Sequence, residues 1–208
     1  MKLSRSATAL VTLGLLAGIS FAAEEAAPAN PDPKAVDAGA FTVEPYHTRV
    51  QFGVSHVGFS TFYGDFSGVS GTLELDPKNI ATSKVNISIP AASVLTTVAQ
   101  LNDELKGNNW LDAKQFPEIT FVSTKVKKTG ARTAEITGNL SLHGVTKPVT
   151  LEATFNAAGV NPLDQSYTAG FDATASLRRS DFGVKTYVPM IGDEVKIHIS
   201  AAFVKKAS

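Results

Sequence analysis

The chain contains no cysteine among its 208 residues. Disulfides, thiolate metal sites and a cysteine nucleophile are therefore excluded. Exported proteins often carry disulfides but do not need them, so this absence is compatible with export. Net charge is missing too, because 19 Lys and Arg balance 19 Asp and Glu. A neutral chain offers no electrostatic reason for a nucleic-acid partner. Its densest basic group, Lys125, Lys127 and Lys128, stands beside Gly130 and reads as a solvated hairpin end. Beyond the first residues, no run is long and apolar enough to span a bilayer, so the chain is not expected to be membrane-spanning.

Signatures of catalysis and of bound cofactors are also scarce. The four histidines, His47, His56, His143 and His198, form no HxH or HExxH pair, and His143 and His198 fall on the polar registers of their strands. A zinc site assembled from three separate strands is the one metal arrangement that spacing leaves open. Gly68-Val69-Ser70-Gly71 lacks the spacing of a nucleophile elbow. Glycine loops for phosphates or dinucleotides are missing, and the carboxylates are scattered on polar registers. No catalytic residue, metal or cofactor is therefore assigned.

What is present starts with an address. Lys2 and Arg5 precede an apolar run from Ala7 to Ile19, and Ser20-Phe21-Ala22 offers small residues at the two positions a signal peptidase reads. Residues 1–22 are read as a cleavable secretory signal, which implies the periplasm. Residues 23–40 are rich in Ala, Pro, Asp and Glu and read as a flexible leader. The folded domain then occupies 41–208.

Within that domain the dominant period is two. Val50, Phe52 and Val54 alternate with polar residues, as do Val69, Gly71, Leu73 and Leu75, and Val85, Ile87 and Ile89. The same holds for Ile136, Gly138, Leu140 and Leu142, for Val149, Leu151, Ala153 and Phe155, for Phe171, Ala173, Ala175 and Leu177, and for Val195, Ile197, Ile199, Ala201 and Phe203. Ile119 to Val126 is strand-like but less regular. Each run is a strand with one apolar face, and the short turns between runs imply antiparallel neighbours. Val94, Leu95, Val98, Leu101 and Leu105 instead follow helical spacing, with Ser93 as the expected cap and Gly107-Asn108-Asn109 as the stop.

About eight strands and one helix fit either a sandwich or a barrel. Small residues on the apolar faces lean towards a barrel with room for a ligand, although they could equally make space for large neighbours. His56 to Phe66 carries four aromatic rings in a glycine-bearing connection. At least two rings are expected to cap the core and the others to form the mouth of a cavity, for which His56, Phe59, Phe62 and Tyr63 are the candidates.

The order of these motifs resembles the YceI-like family of lipocalin-like, polyisoprenoid-binding periplasmic proteins. The resemblance rests on Phe41 to Phe52, on His56-Val57-Gly58 with Gly64 to Gly68, and on Leu105 to Phe121. It rests also on Gly138 to Val149 and on Arg179 to Gly183. One departure is visible: the family often has His before the Leu at the helix exit, where this chain has Glu104. The resemblance implies an extended antiparallel eight-stranded barrel whose apolar channel holds an isoprenoid chain, with a quinone or prenyl phosphate head. It also implies a homodimer in some members. The residues expected to line that channel are Val50, Phe52, Val54, Leu73, Ile87, Phe121, Leu140, Leu151, Phe171 and Ile197. A lipid-binding role without catalysis fits best. The competing classes are an enzyme acting on an isoprenoid or quinone, and a ligand-free adhesion or envelope-stress module.

Overall fold

The computed structural model describes residues 29–206. The expected signal segment, 1–22, lies outside them. Nine strand segments follow in chain order: β1 (Gly39–His56), β2 (Ser60–Phe66), β3 (Ser70–Leu75), β4 (Lys84–Pro90), β5 (Glu118–Lys128), β6 (Thr133–Leu142), β7 (Val145–Val160), β8 (Tyr167–Arg178) and β9 (Ile191–Lys205). One helix, α1 (Ala99–Lys106), falls between β4 and β5.

These segments form a closed eight-stranded antiparallel barrel. β2 and β3 share one position in the wall: β2 pairs with Val50–His56 and β3 with Gly39–Thr42, both on the same side of β1. The chain then runs round the wall, each strand pairing with the next, until β9 returns to β1. Closure sets apolar registers side by side, with Val50 opposite Ile199, Phe52 opposite Ile197 and Val54 opposite Val195. Ile87 faces Phe121, and Phe121 faces Leu140. Alternation along each strand therefore becomes one continuous apolar interior, since a one-residue slip would turn every side chain outward.

The less regular rhythm of Ile119 to Val126 has a local cause. The β5–β6 register shifts between Ser123 and Lys125, which inserts one residue and reverses the phase. A larger irregularity interrupts β1 between Glu44 and Arg49. There the Glu44 carboxylate accepts from the backbone N–H of Tyr46 (3.1 Å) and of His47 (2.8 Å), and Thr48 Oγ1 accepts from Ala202 N at 3.1 Å. Groups freed from the ladder thus find side-chain partners.

Four expectations need correction. Val94 to Val98 is not helical, and Ser93 does not cap α1. Leu95 exchanges two backbone hydrogen bonds of 2.8 Å with Asp65 on the open edge of β2, which holds that segment extended. Thr96 instead supports the helix start, bonding Val98 N at 3.1 Å and Asn102 Oδ1 at 2.7 Å. The aromatic stretch 56–66 is not a connection: only Val57, Gly58 and Phe59 turn, and the rest pairs as β2 against β1. His143 does not lie on a strand face but in the turn between β6 and β7, with φ of 51°. The described part of the expected leader is docked. Asn30 exchanges hydrogen bonds of 2.7 and 3.0 Å with Ala158, and Val36 is buried in the core.

That core fills one end of the barrel. Phe41, Leu73, Leu75, Phe155, Ala158, Ala169 and Phe203 are buried together there, with Val36 laid across them. At the opposite end lie the β1–β2 turn, the α1 connection, the β6–β7 turn and the β8–β9 connection.

Candidate functional site: an apolar cavity with one polar end

Beyond the filled end the interior is hollow, with a cavity of about 510 Å³. On β1 its wall includes Val50, Phe52 and Val54, on β3 and β4 Leu73 and Ile87, and on β5 and β6 Phe121 and Leu140. Leu151 on β7, Phe171 on β8 and Ile197 on β9 complete the ring. All ten residues expected to face a channel are thus on the cavity wall. Val54, Leu140 and Ile197 are only half-buried although they point inward, because open space replaces neighbouring atoms.

The glycines have another role. A Cβ on Gly138 would stand 2.4 Å from Cζ of Phe121, and one on Gly71 would meet the backbone oxygen of Asn86. These two positions make room for neighbours. Ala153, Ala173, Ala175 and Ala201 do line the cavity.

At the mouth, His56 and Phe62 line the cavity with ring centroids 6.4 Å apart. Phe59 and Tyr63 do not. Phe59 is 90% exposed at the turn tip, and Tyr63 lies outside the barrel across Gly53. Period two explains Tyr63, which follows the inward Phe62 and must face outward.

Other polar groups of the wall went unassigned in the sequence. Among the described residues, Arg179 and Glu104 are the wall's carboxylate- or guanidinium-bearing side chains. Arg179 is 6% exposed and donates to Gly192 O (2.9 Å), Val184 O (3.1 Å) and Ile191 O (2.8 Å). Burial lowers its pKa from the ordinary value, opposed by Asp193, and the guanidinium remains charged. Its Cζ lies 5.3 Å from the centroid of the buried Trp110 ring. Trp110 in turn donates from Nε1 to Glu104 Oε1 at 3.1 Å and packs on Tyr187 with centroids 6.2 Å apart. Two of these residues had a signal. Arg179 continues the inward register of Ala175 and Leu177, and Glu104 shares a helix face with Leu101 and Leu105. Trp110 and Tyr187 lie in irregular connections, where no period applies.

Asp193 holds this end together from outside. It accepts from Ser180 N (2.9 Å), Ser180 Oγ (2.7 Å) and Arg178 Nε (3.0 Å). The Ser180 hydroxyl lowers its pKa most, burial opposes this, and the Ser180 amide and Arg178 lower it further, so the net direction is down. A depressed carboxylate pKa contributes stability above the unfolded value of about 3.9 and loses it as the pH falls through the folded value. Asp193→Asn should therefore be less stable than the parent at pH 7, with the difference closing as the pH falls through the folded value. Denaturant midpoints across that range check this, and a pH-independent difference would remove Asp193 from the acid response.

The histidines do not converge. His47 pairs with Glu44 at the β1 irregularity (2.7 Å), His143 bonds Phe182 O (3.1 Å) and His198 is exposed. Among the described residues no three His, Asp or Glu are placed to hold a metal ion. No helix among them is long and apolar enough to cross a membrane.

A closed antiparallel barrel with one filled end and an apolar interior open at the other is the architecture of a lipocalin-like binding protein. Comparison with known proteins narrows this: residues 41–203 match the YceI-like domain, and the chain belongs to that family. It is 42% identical to the UPF0312 protein of Pseudomonas savastanoi pv. phaseolicola over 142 residues, covering 68% of this chain and 73% of the relative. Among solved structures, it resembles Burkholderia cenocepacia BcnA (TM-score 0.70, 27% identity, covering 77% of this chain and 98% of that one). It also shares the fold of a Saccharophagus degradans domain described as polyisoprenoid-binding (TM-score 0.62, 12% identity, covering 82% and 100%).

Proposed function

We propose that this protein binds a long isoprenoid-type lipid in its barrel cavity, in the periplasm, and carries, stores or sequesters it without chemical change. One observation carries this reading: an apolar cavity of about 510 Å³ that a solid core closes at one end. An empty apolar volume of this size forfeits the contacts that a packed core would make, and a hydrocarbon chain restores them. Family membership and the fold shared with the Saccharophagus domain support it, and the pattern of residues 1–22 supports export.

The test is to isolate the protein from the periplasmic fraction, with Ala23 expected as its first residue, and to analyse its organic extract by mass spectrometry. A lipid that binds only the folded state adds about 2.7 kcal/mol at a free concentration one hundred times its Kd. Delipidated protein should therefore melt below protein as isolated. Equal melting temperatures with no extractable lipid would overturn the reading in favour of a ligand-free envelope module.

A further inference from the structure

The barrel wall is not hydrogen-bonded along its whole height between β7 and β8. Their ladder runs from Val160 opposite Tyr167 to Glu152 opposite Thr174 and stops there. Both strands continue towards the open end, β7 to Val145 along β6 and β8 to Arg178 along β9. Residues 145–151 and 175–178 thus flank a seam that no ladder bond crosses. Pro148 gives a local reason. His143 and Gly144, with φ of 51° and 75°, make a two-residue turn that closes on a bonded pair, Leu142 and Val145. Bonded pairs alternate along an antiparallel ladder, so the backbone nitrogens of residues 146, 148 and 150 point away from β6, into the seam. At Pro148 that nitrogen carries no hydrogen.

The seam reaches the cavity. An outer groove along it is lined by consecutive residues of both strands, Pro148, Val149 and Thr150 on β7 and Ser176, Leu177 and Arg178 on β8. Val149 and Leu177 also line the cavity, and extending the β7–β8 register would set them opposite each other. At this level side chains, not a bonded wall, divide cavity from groove. Side chains also close the seam near the open end, where the turn Arg179–Phe182 leaves β8. Phe182 is buried and lines the groove. His143 Nδ1 bonds Phe182 O at 3.1 Å, and Lys147 Nζ lies 3.5 Å from Asp181 Oδ1. Parting the seam displaces one ring, one hydrogen bond and one half-exposed ion pair, but no strand ladder, so it opens more readily than the paired wall.

At the open end a hydrocarbon tail must pass the Glu104 carboxylate and the Arg179 guanidinium. At the seam it meets Val149, Leu177 and Phe182. An extended peptide is the poorer occupant, because Pro148 denies the edge a donor and Arg178 and Glu194 line the groove. We propose that the β7–β8 seam is a second contact site for the lipid, a side port through which its hydrocarbon tail enters the cavity, with Phe182 as the plug. The port rests on the lipid-binding reading.

The protein has no cysteine, so introduced pairs are unique. Thr150→Cys with Ser176→Cys, both exposed, is tied across the seam by a flexible bis-maleimide. Glu135→Cys with Glu152→Cys, opposite each other in the continuous β6–β7 ladder, is tied in the same way as the control. Stopped-flow fluorescence follows a geranylgeranyl chain carrying an environment-sensitive dye into and out of the delipidated proteins. The seam tie should slow entry and release alike by about tenfold or more and leave the Kd within about twofold, because a port acts on the barrier and not on the bound state. The control tie should change neither rate. Asp181→Asn, left untied, should speed both rates about threefold, and high salt should do the same to the parent. Unchanged rates in the tied seam would overturn the port and leave the open end as the route. Slowed entry without slowed release would place the effect in the bound state and overturn it too. If the probe does not bind even the parent, the lipid reading itself fails, and the port with it.

Discussion

Replacing Phe41 by alanine should cost about 3–5 kcal/mol of folding stability, whereas Phe52→Ala should cost the ligand-free protein about half of that or less. Phe41 has no exposed surface and sits inside the cluster that fills one barrel end. Truncating it removes transfer free energy and leaves a void that close-packed neighbours cannot fill. Phe52 packs on Phe66 with centroids 5.6 Å apart and on the face of Gly64, but its other side borders the cavity. Fewer partner atoms are lost, while the shape offered to a ligand changes. Phe171 also borders the cavity, yet its ring is wedged between Phe155 (5.5 Å) and Phe203 (5.9 Å), so its truncation should approach the Phe41 value. Denaturant unfolding of the delipidated variants decides the matter. Equal losses at Phe41 and Phe52 would mean that Phe52 lies in a solid interior.

The second large effect is expected at Gly71, where alanine should destabilise by roughly 2–5 kcal/mol through overpacking and backbone strain together. Gly71 holds φ at 142° opposite Ile87 in the β3–β4 ladder. An added Cβ would stand 2.1 Å from the backbone oxygen of Asn86 and 2.9 Å from Cα of Ile87. Neither atom can rotate away, so the ladder itself must open. Gly58 is the control. It also has positive φ, at 76°, but a Cβ there meets nothing within 4 Å. Gly58→Ala should therefore carry the strain alone, about 1 kcal/mol. Similar losses at the two positions would show that contact with Asn86 is not what excludes a side chain at Gly71.

Gly71 and Gly138 also show how one residue type on one register can serve different ends. Both share apolar registers with residues that face the cavity, such as Leu73 and Leu140, as Ala173 and Ala175 do with Leu177. In the sequence all of them read alike, as space for a ligand or for neighbours. The difference lies on the neighbouring strand, where Phe121 folds over Gly138 and the Asn86 backbone passes close to Gly71, while Ala173 and Ala175 border the cavity.

The strands were legible because alternation is a local property. Each side chain's face follows from its parity, so Val50, Phe52, Val54, Leu140 and Ile197 could be placed on an inner face without knowing their partners. Local pattern misled where non-local hydrogen bonds competed with it. Val94 to Val98 has helical spacing, but two bonds between Leu95 and Asp65 draw it out, and the aromatic segment after Phe59 becomes a strand because β1 offers it an edge. Arg179 went unassigned because a charged residue at a strand end is usually solvated, and only its capture by Val184 O in the β8–β9 connection and by Ile191 O and Gly192 O at the start of β9 makes it part of the wall. The sequence by itself thus determined that the chain forms half-apolar antiparallel strands and which side chains look inward. Closure of β9 on β1, the split between solid core and cavity, and the gathering of Arg179, Trp110 and Glu104 at one end were decided only by the tertiary structure. Each depends on contacts between segments far apart in the chain, whose geometry no local period encodes.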